Sequence, residues 1–366
     1  MSVEVYLVGG AVRDKLLGIY NKDTENDWLV VGSSMEELSS LGYRQVGKGF
    51  PVFLHPDSNE EYALARLERS VDPGYTGFEF DTSRGVTLEQ DLSRRDLTIN
   101  AIAQLNGTGE FIDPYSGQKD LDDGTLRHIS SAFSEDPVRV LRVARFASRF
   151  KSFGFKLAHE THNLMKQMVV SGDVDALVPE RVFKELDEAL SYDTPSAFFK
   201  VLFSCGAYHK VFSSLHNDSV HISHTNSFEF LDNLKGCSPH IKFSIWLKNE
   251  ELSSIEFLCD SIKCPKSYKD LALLTSKYSD FMKTFSEQKK EAIFEFFIGS
   301  DALRRKERFS DLMTVFGLIG VDVSPILELR DLLSNIDTSE LDKNNIAESI
   351  KDQKNIVIDS FINSTK

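Results

Sequence analysis

Four arginines, Arg139, Arg142, Arg145 and Arg149, recur at intervals of three and four residues directly after Glu135-Asp136-Pro137. On a helix they share one face, while Val140, Leu141, Val143, Ala144 and Ala147 fill the other. Ser134, the acidic pair and the proline read as the start of that helix. The plain reading is a solvated basic face with a Glu135–Arg139 pair. A sharper one is that Asp136 and Arg139 recognise a heterocycle together. A carboxylate accepts from an exocyclic amine, and a guanidinium donates to the unprotonated ring nitrogen beside it. Cytosine and adenine both offer that edge. Guanine and uracil offer the reverse and would leave both groups unpaired, at about 1–3 kcal/mol for each group. Arg142 and Arg145, one turn further on, could then hold a triphosphate.

Transfer from a triphosphate needs a second set of residues, and the N-terminal stretch holds candidates. In Asp23-Thr24-Glu25-Asn26-Asp27-Trp28-Leu29-Val30-Val31, a strand beginning near Glu25 projects Glu25 and Asp27 from one face, with Cα atoms about 6.5–7 Å apart. Two carboxylates so placed can hold Mg²⁺ and leave positions open for phosphate oxygens; a polar loop entering a buried strand would look the same. Val5–Val8 reads as a buried strand, followed by Gly9-Gly10 and a helix from Ala11 to Leu17 with Arg13-Asp14 in its first turn. Such a turn lets backbone approach a phosphate, with Arg13 adding positive charge, though an ordinary tight turn fits equally. Thr87 caps a helix carrying Glu89, Asp91, Arg94, Arg95, Asp96 and Asn100. Asp96 and Asn100, one turn apart, could select a ribose hydroxyl or stitch the helix to the sheet.

The elements that must position these residues are legible in outline. A helix from Ser34 to Leu41 and strands over Arg44–Val46, Pro51–His55 and Glu61–Arg66 suggest a small mixed sheet with helices on one side. Val71–Asp81 has the glycine and proline content of a mobile loop, and Phe111–Gly117 reads as a short strand ending in a turn. Beyond it the pattern is helical, and the last twenty-odd residues look polar and partly frayed. A chain of 366 residues holds two or three compact units. Its net charge of −14 argues against a generally basic nucleic-acid binder, so any such contact must be a local strip. Cys205, Cys237, Cys259 and Cys264 form no CxxC pair, which points to a reduced, cytoplasmic protein. The first residues run directly into a strand, so no signal peptide is expected, and no apolar stretch is long enough to span a membrane.

Taken together, GGAVRD, the acidic pair before WLVVG, RRDLTINA, the IDPYSG turn and EDPVRVLRVARFASR resemble the bacterial class II tRNA nucleotidyltransferases, the CCA-adding enzymes, over roughly residues 3–210. GKGFPVFLHP (47–56) and EYALAR (61–66) are similar to the enterobacterial-type branch. The resemblance implies an α+β fold: a polymerase-β-like head over 1–130, a helical neck over 131–210, and a helical body and tail over 211–366. It implies Mg²⁺-dependent, template-independent addition of C, C and A to tRNA 3′ ends from CTP and ATP. Gly10, Arg13, Arg95, Arg142 and Arg145 match nucleotide-binding positions of the family, and Glu135, Asp136 and Arg139 match its base-reading EDxxR motif. Asp96 and Asn100 join them as candidate nucleotide contacts. A poly(A) polymerase, an enzyme adding only part of CCA, and a non-catalytic tRNA-binding protein are the alternatives.

Two stretches depart from the family pattern. Glu25-Asn26-Asp27 stands where Asp-x-Asp is usual. Glu25 is one methylene longer than aspartate, and a misplacement of ~1 Å can cost about a hundredfold in rate. Asp23 is a rival metal ligand that would need a bulge to reach. Further on, Lys248-Asn249 stands where related enzymes carry the His-Asp of a phosphohydrolase domain; no His-Asp dipeptide occurs, and no histidine follows His240. A lysine at a ligand position opposes a metal, so that second activity is not expected. Val178–Leu186 matches the neck, where Arg181 and Lys184 face RNA or solvent. His159 and His162 share a helical face with nothing to complete a metal site, and Arg304–Arg308 is a phosphate contact or a solvated surface.

Overall fold

Tyr6, Leu7 and Val8 form a continuous apolar run that needs cover on both faces, and β1 (Glu4–Val8) obtains it inside a mixed sheet. The computed structural model describes residues 3–46, 52–70, 78–215, 224–336 and 346–364. Around β1 stand α1 (Gly10–Leu16), β2 (Asp27–Val31), α2 (Met35–Ser40), β3 (Arg44–Val46), β4 (Val52–Leu54) and β5 (Glu61–Leu64). Then come β6 (Leu67–Ser70), β7 (Phe78–Asp81), α3 (Leu88–Ser93), β8 (Ala103–Leu105), β9 (Phe111–Ile112) and α4 (Gly117–Asp122). The seven-stranded sheet runs β3-β4-β5-β2-β1-β8-β9, with β2 and β5 parallel and the other pairs antiparallel. β6 and β7 pair separately. Residues 71–77 of the expected loop, and 47–51 of the GKGFP stretch, lie outside the described residues.

Helices cover both faces of this sheet, not one. Tyr6, Val8, Leu29 and Val31 pack against Leu88 and Leu92 of α3, while Val30, Phe53, Tyr62 and Leu64 pack against Leu38 of α2. Because β2 is apolar on both sides, each side needs its own cover. The register matters for function: Asp27 opens β2 opposite Val8 on β1 and beside Glu61 on β5. The strand starts at Asp27, two residues later than its carboxylate spacing suggested, so Glu25 precedes it. Likewise α3 ends at Ser93, and Asn100 belongs to a 3-10 turn over Thr98–Asn100 instead of one long helix. That turn is pinned from behind. Asp113 accepts from the Gly117 and Gln118 backbone N–H groups at 2.7 and 2.9 Å, and Thr98 donates its hydroxyl to Asp120 at 2.7 Å.

The chain continues through β10 (Thr125–Leu126), a 3-10 turn over Ser131–Glu135, α5 (Val138–Phe150), β11 (Lys156–Leu157), α6 (His159–Ser171), α7 (Pro179–Ser191), α8 (Ser196–Cys205) and α9 (Ala207–Val211). Helix α5 begins after Pro137, not at Ser134, whose hydroxyl instead donates to Ser131 O at 2.9 Å. Residues Met1–Phe212 form one compact unit and Ser213–Lys366 a second. The expected head (1–130) and neck (131–210) thus share the first unit. The second consists of α10 (His224–Leu231), α11 (Pro239–Trp246), α12 (Leu252–Ser261), α13 (Lys266–Lys283), α14 (Lys290–Gly299), α15 (Lys306–Leu318), α16 (Ser324–Ser334) and α17 (Ile346–Ser364). The C-terminal stretch is therefore helical instead of frayed, because Ile358 and Phe361 bury themselves. Among the described residues no helix is long and apolar enough to cross a membrane.

Gly117 is the tightest point in this arrangement. A Cβ there would stand 2.2 Å from the Thr98 carbonyl oxygen and 2.8 Å from Ile102. Gly117→Ala is expected to destabilise the first unit by about 1–3 kcal/mol, and to weaken nucleotide binding because the displaced turn carries Asn100. Urea unfolding together with nucleotide titration checks both.

Candidate active site

The carboxylate end of the sheet opens into a cavity of about 710 Å³ within the first unit. Asp27, Glu25 and Glu61 line it, together with Gly9, Gly10, Arg13, Arg95 and the arginines of α5. Asp23 lies outside that lining, in an exposed turn where its backbone N–H donates to Asn21. Glu61 carried no signal of its own in the sequence; only the parallel register of β5 with β2 brings it beside Asp27. Asp27 keeps solvent access, yet burial in the recess pushes its carboxyl upward. Glu61 and Glu25 add to that shift and Arg95 opposes it. An open, all-oxygen donor set crowded with negative charge fits a hard divalent cation that completes its shell with phosphate oxygens. Among the described residues no three such ligands close into a cage of their own.

Beside Asp27, backbone and cation converge. Gly9 has φ +70°, and a Cβ added to it would stand 3.0 Å from Arg95 Nη1 and 3.8 Å from Asp27 Oδ2. Arg95 leans on the wholly buried Asp91 at 3.3 Å, and its buried Nε has no hydrogen-bond partner in the protein. Asp91 also accepts from Arg94 at 2.7 Å; burial works against its charge, but Arg94 and Arg95 outweigh it and hold the carboxyl below the ordinary range.

On the far side of the cavity the arginines are held in a chain of partners. Arg13, 3% exposed, donates to Asp14 at 2.8 Å and to the Asn100 carbonyl at 2.6 Å. Burial lowers its pKa. The Asn100 amide donates to Asp96 at 2.9 Å, and Arg142 grips Asp96 at 2.7 Å through both Nε and Nη2. Burial alone would raise the Asp96 carboxyl, but Arg142 and Asn100 reverse this and hold it well below the usual carboxylate range. The Asp96–Asn100 pair thus stitches the turn to α5. Arg145 donates to Glu185, with Glu188 at 3.2 Å, and Arg149 reaches Asp14 at 2.7 Å. Phe146 lies among three guanidiniums, those of Arg145, Arg13 and Arg142, at 4.4, 5.3 and 5.7 Å from its centroid.

Asp136 and Arg139 both line the cavity, whereas Glu135 is exposed and lies outside its lining, because the 3-10 turn rotates it away before α5 begins. Arg139 donates Nη1 to Ala132 O at 2.8 Å and Nη2 to Arg94 O. Asp136 receives both Nη groups of Arg181, at 2.9 and 2.8 Å, and the Val138 N–H at 3.2 Å. Arg181 therefore meets Asp136, not solvent alone. Its neighbour Lys184 is an exposed member of the same lining. Elsewhere, His162 meets the Ser204 hydroxyl at 3.0 Å, and the Arg304–Arg308 cluster is paired with Asp301 and Asp270.

Two family models match the chain: "Poly A polymerase head domain" over residues 5–127, and "Probable RNA and SrmB- binding site of polymerase A" over residues 154–219. The CCA-adding enzyme of Coxiella burnetii is 43% identical over 343 residues, covering 93% of this chain and 89% of its own. Among solved structures, a CCA-adding enzyme in its apo form II aligns over 100% of this chain and 92% of its own, with a TM-score of 0.71 and 21% identity. A CCA-adding enzyme in complex with CTP aligns over 98% and 86%, with a TM-score of 0.68 and 20% identity. At those identities the likeness is one of fold.

The Asp96–Arg142 pair generates a stability prediction. Asp96→Asn leaves the partly exposed Arg142 guanidinium without its carboxylate and is expected to cost about 1–3 kcal/mol at pH 7, because solvent at Arg142 screens part of the loss. A carboxyl held low when folded stabilises above its unfolded pKa, about 3.9. That contribution fades as pH falls below this value towards the folded one. The gap between Asp96→Asn and the parent protein should therefore narrow as pH drops below about 4, which urea unfolding across pH 7 to 3 measures.

Proposed function

This chain belongs to the CCA-adding enzymes, and from that premise we propose that it adds C, C and A to tRNA 3′ ends from CTP and ATP, with Mg²⁺ as its metal and the cytoplasm as its location. The observation that carries the reading is one cavity lined both by the carboxylates Asp27, Glu25 and Glu61 and by the Asp136–Arg139 pair. Transfer chemistry and base choice then act on a single nucleotide.

The carboxylates Asp27, Glu25 and Glu61 are the residues that would hold Mg²⁺, which when bound supplies activation of the tRNA 3′-hydroxyl and neutralisation of the departing pyrophosphate. The protein's own groups do the positioning. Gly9 leaves room for phosphate beside Arg95, whose Nη1 lies next to the glycine. Arg142 is fixed by Asp96 at the cavity wall, so its charge is set in place before a triphosphate arrives. Asp136 accepts from the exocyclic amine of cytosine or adenine while Arg139 donates to the ring nitrogen beside it. Both bases present the same edge, which is how one unaltered site serves two nucleotides without a template.

The second unit is proposed to lack phosphohydrolase activity. Lys248 and Asn249 follow the end of α11. Burial, with help from Lys283, lowers the Lys248 pKa, but an amine so placed is no substitute for an imidazole–carboxylate ligand pair.

Asp27→Ala is expected to reduce incorporation of CTP and ATP alike by more than about a hundredfold, with tRNA binding retained. Glu25→Asp should keep or raise activity, while Asp23→Ala should be harmless. Incorporation assays on tRNA ending before CCA, with sequencing of the products, test all three; loss on Asp23→Ala with activity intact on Glu25→Ala would reverse the ligand assignment. Separately, the purified protein should show no turnover of 2′,3′-cyclic nucleotides with Ni²⁺, Mn²⁺ or Mg²⁺, and turnover that co-purifies with the chain would overturn that reading.

A further inference from the structure

We infer that Arg181 on α7 is a positioning residue for nucleotide choice: it holds the Asp136 carboxylate in the plane from which a base edge is read. The inference rests on the base-reading assignment above and adds to it a residue from another element. Arg181 places one Nη on each Asp136 oxygen, at 2.9 and 2.8 Å. This two-pronged geometry fixes the plane of the carboxylate as well as its position, which a single point charge does not.

Counting acceptor sites shows what the clamp leaves available. A carboxylate has about four lone-pair sites, two on each oxygen. On Asp136, Oδ1 receives the Val138 N–H and one Arg181 N–H, and Oδ2 receives the other Arg181 N–H. One site on Oδ2 remains, enough for one hydrogen of an exocyclic amine. The second arm of the reader is braced in the same manner by different groups, the carbonyls of Ala132 and Arg94 on Arg139. Both arms are thus set before a nucleotide enters, so the correct base need not organise them.

Without Arg181, the side chain of Asp136 is retained only by the Val138 N–H and can rotate about its last torsion. Turning the free acceptor away relieves its clash with the carbonyl of uracil or guanine. Choice is then lost before triphosphate binding is. The two N–H groups that Arg181 gives to Asp136 are spent within the protein, so losing them should change nucleotide choice more than tRNA affinity.

The test is single-turnover incorporation by the full chain with Mg²⁺, using CTP and UTP on tRNA ending before CCA, and ATP and GTP on tRNA ending in CC. Arg181→Gln should lower the CTP-over-UTP and ATP-over-GTP ratios about tenfold, with tRNA dissociation constants within about twofold. Arg181→Lys, which keeps charge but loses the fork, should recover only part of each ratio. If Arg181→Gln does not fold, that lysine variant carries the test. In an Asp136→Ala background, Arg181→Gln should change the ratios no further. Equal loss for all four nucleotides, a weakened tRNA complex with intact ratios, or an undiminished effect in the Asp136→Ala background would overturn the inference. If Asp136→Ala relaxes choice and Arg181→Gln does not, the inference alone falls. If Asp136→Ala leaves the ratios intact, the base-reading assignment falls with it.

Discussion

The grip of Arg142 on Asp96 is the contact on which the rest of the site depends. It joins the turn that follows α3 to α5, and it does so where the carboxylate is buried. A buried carboxylate is costly unless each oxygen is met. Here Arg142, the Asn100 amide and the Leu97 N–H meet them. Asn100 then orients Arg13, and Arg13 and Arg149 share Asp14 on α1. The carboxylates at the sheet edge and the Asp136–Arg139 pair at the start of α5 are in this way held in one frame. That rigidity suits a site that must present one geometry to two different bases.

An acidic chain with net charge −14 can still bind a polyanionic substrate because its cations are concentrated and oriented. Almost every arginine around the cavity has an acidic partner: Asp14, Asp91, Asp96, Asp136 or Glu185. Such pairs keep guanidiniums ordered when no nucleotide is present. They also temper the local field, so phosphate binding rests on placement more than on excess charge. Arg95 follows this pattern through Asp91 while its Nη1 lies where Gly9 and Asp27 meet.

Much of this site was legible in the residues, and what was hidden has a common physical origin. The arginine periodicity, the Gly9-Gly10 turn and the Asp27 carboxylate are local patterns, and each is found at the cavity. Glu61 became visible only through strand register, since β5 lies beside β2 although 34 residues separate Glu61 from Asp27. Arg181 reads as part of a neck-helix face until α7 is packed on α5, where it meets Asp136 while Glu185, which carried no signal in the sequence, meets Arg145. Glu135 lies outside the cavity lining for the opposite reason. It is adjacent to Asp136 in sequence, but a 3-10 turn before the helix points neighbouring side chains in different directions. The C-terminal helix α17 was misread because polar residues are interspersed among its apolar ones, of which Ile358 and Phe361 are buried.

The ring of Phe146 has a consequence for how this helix can change over time. Three positively charged groups surround it within 6 Å, and each is attracted to the electron-rich face while the ring keeps the charges apart. An aromatic face here offers each guanidinium a modest attraction without adding net charge, alongside the carboxylates that already pair with them. An added carboxylate at that point would compete with the triphosphate for the same cations; a neutral ring does not. Position 146 is therefore bound to aromatic character by electrostatics as much as by volume, and an aliphatic side chain of equal size would leave the cations without their shared neutral partner.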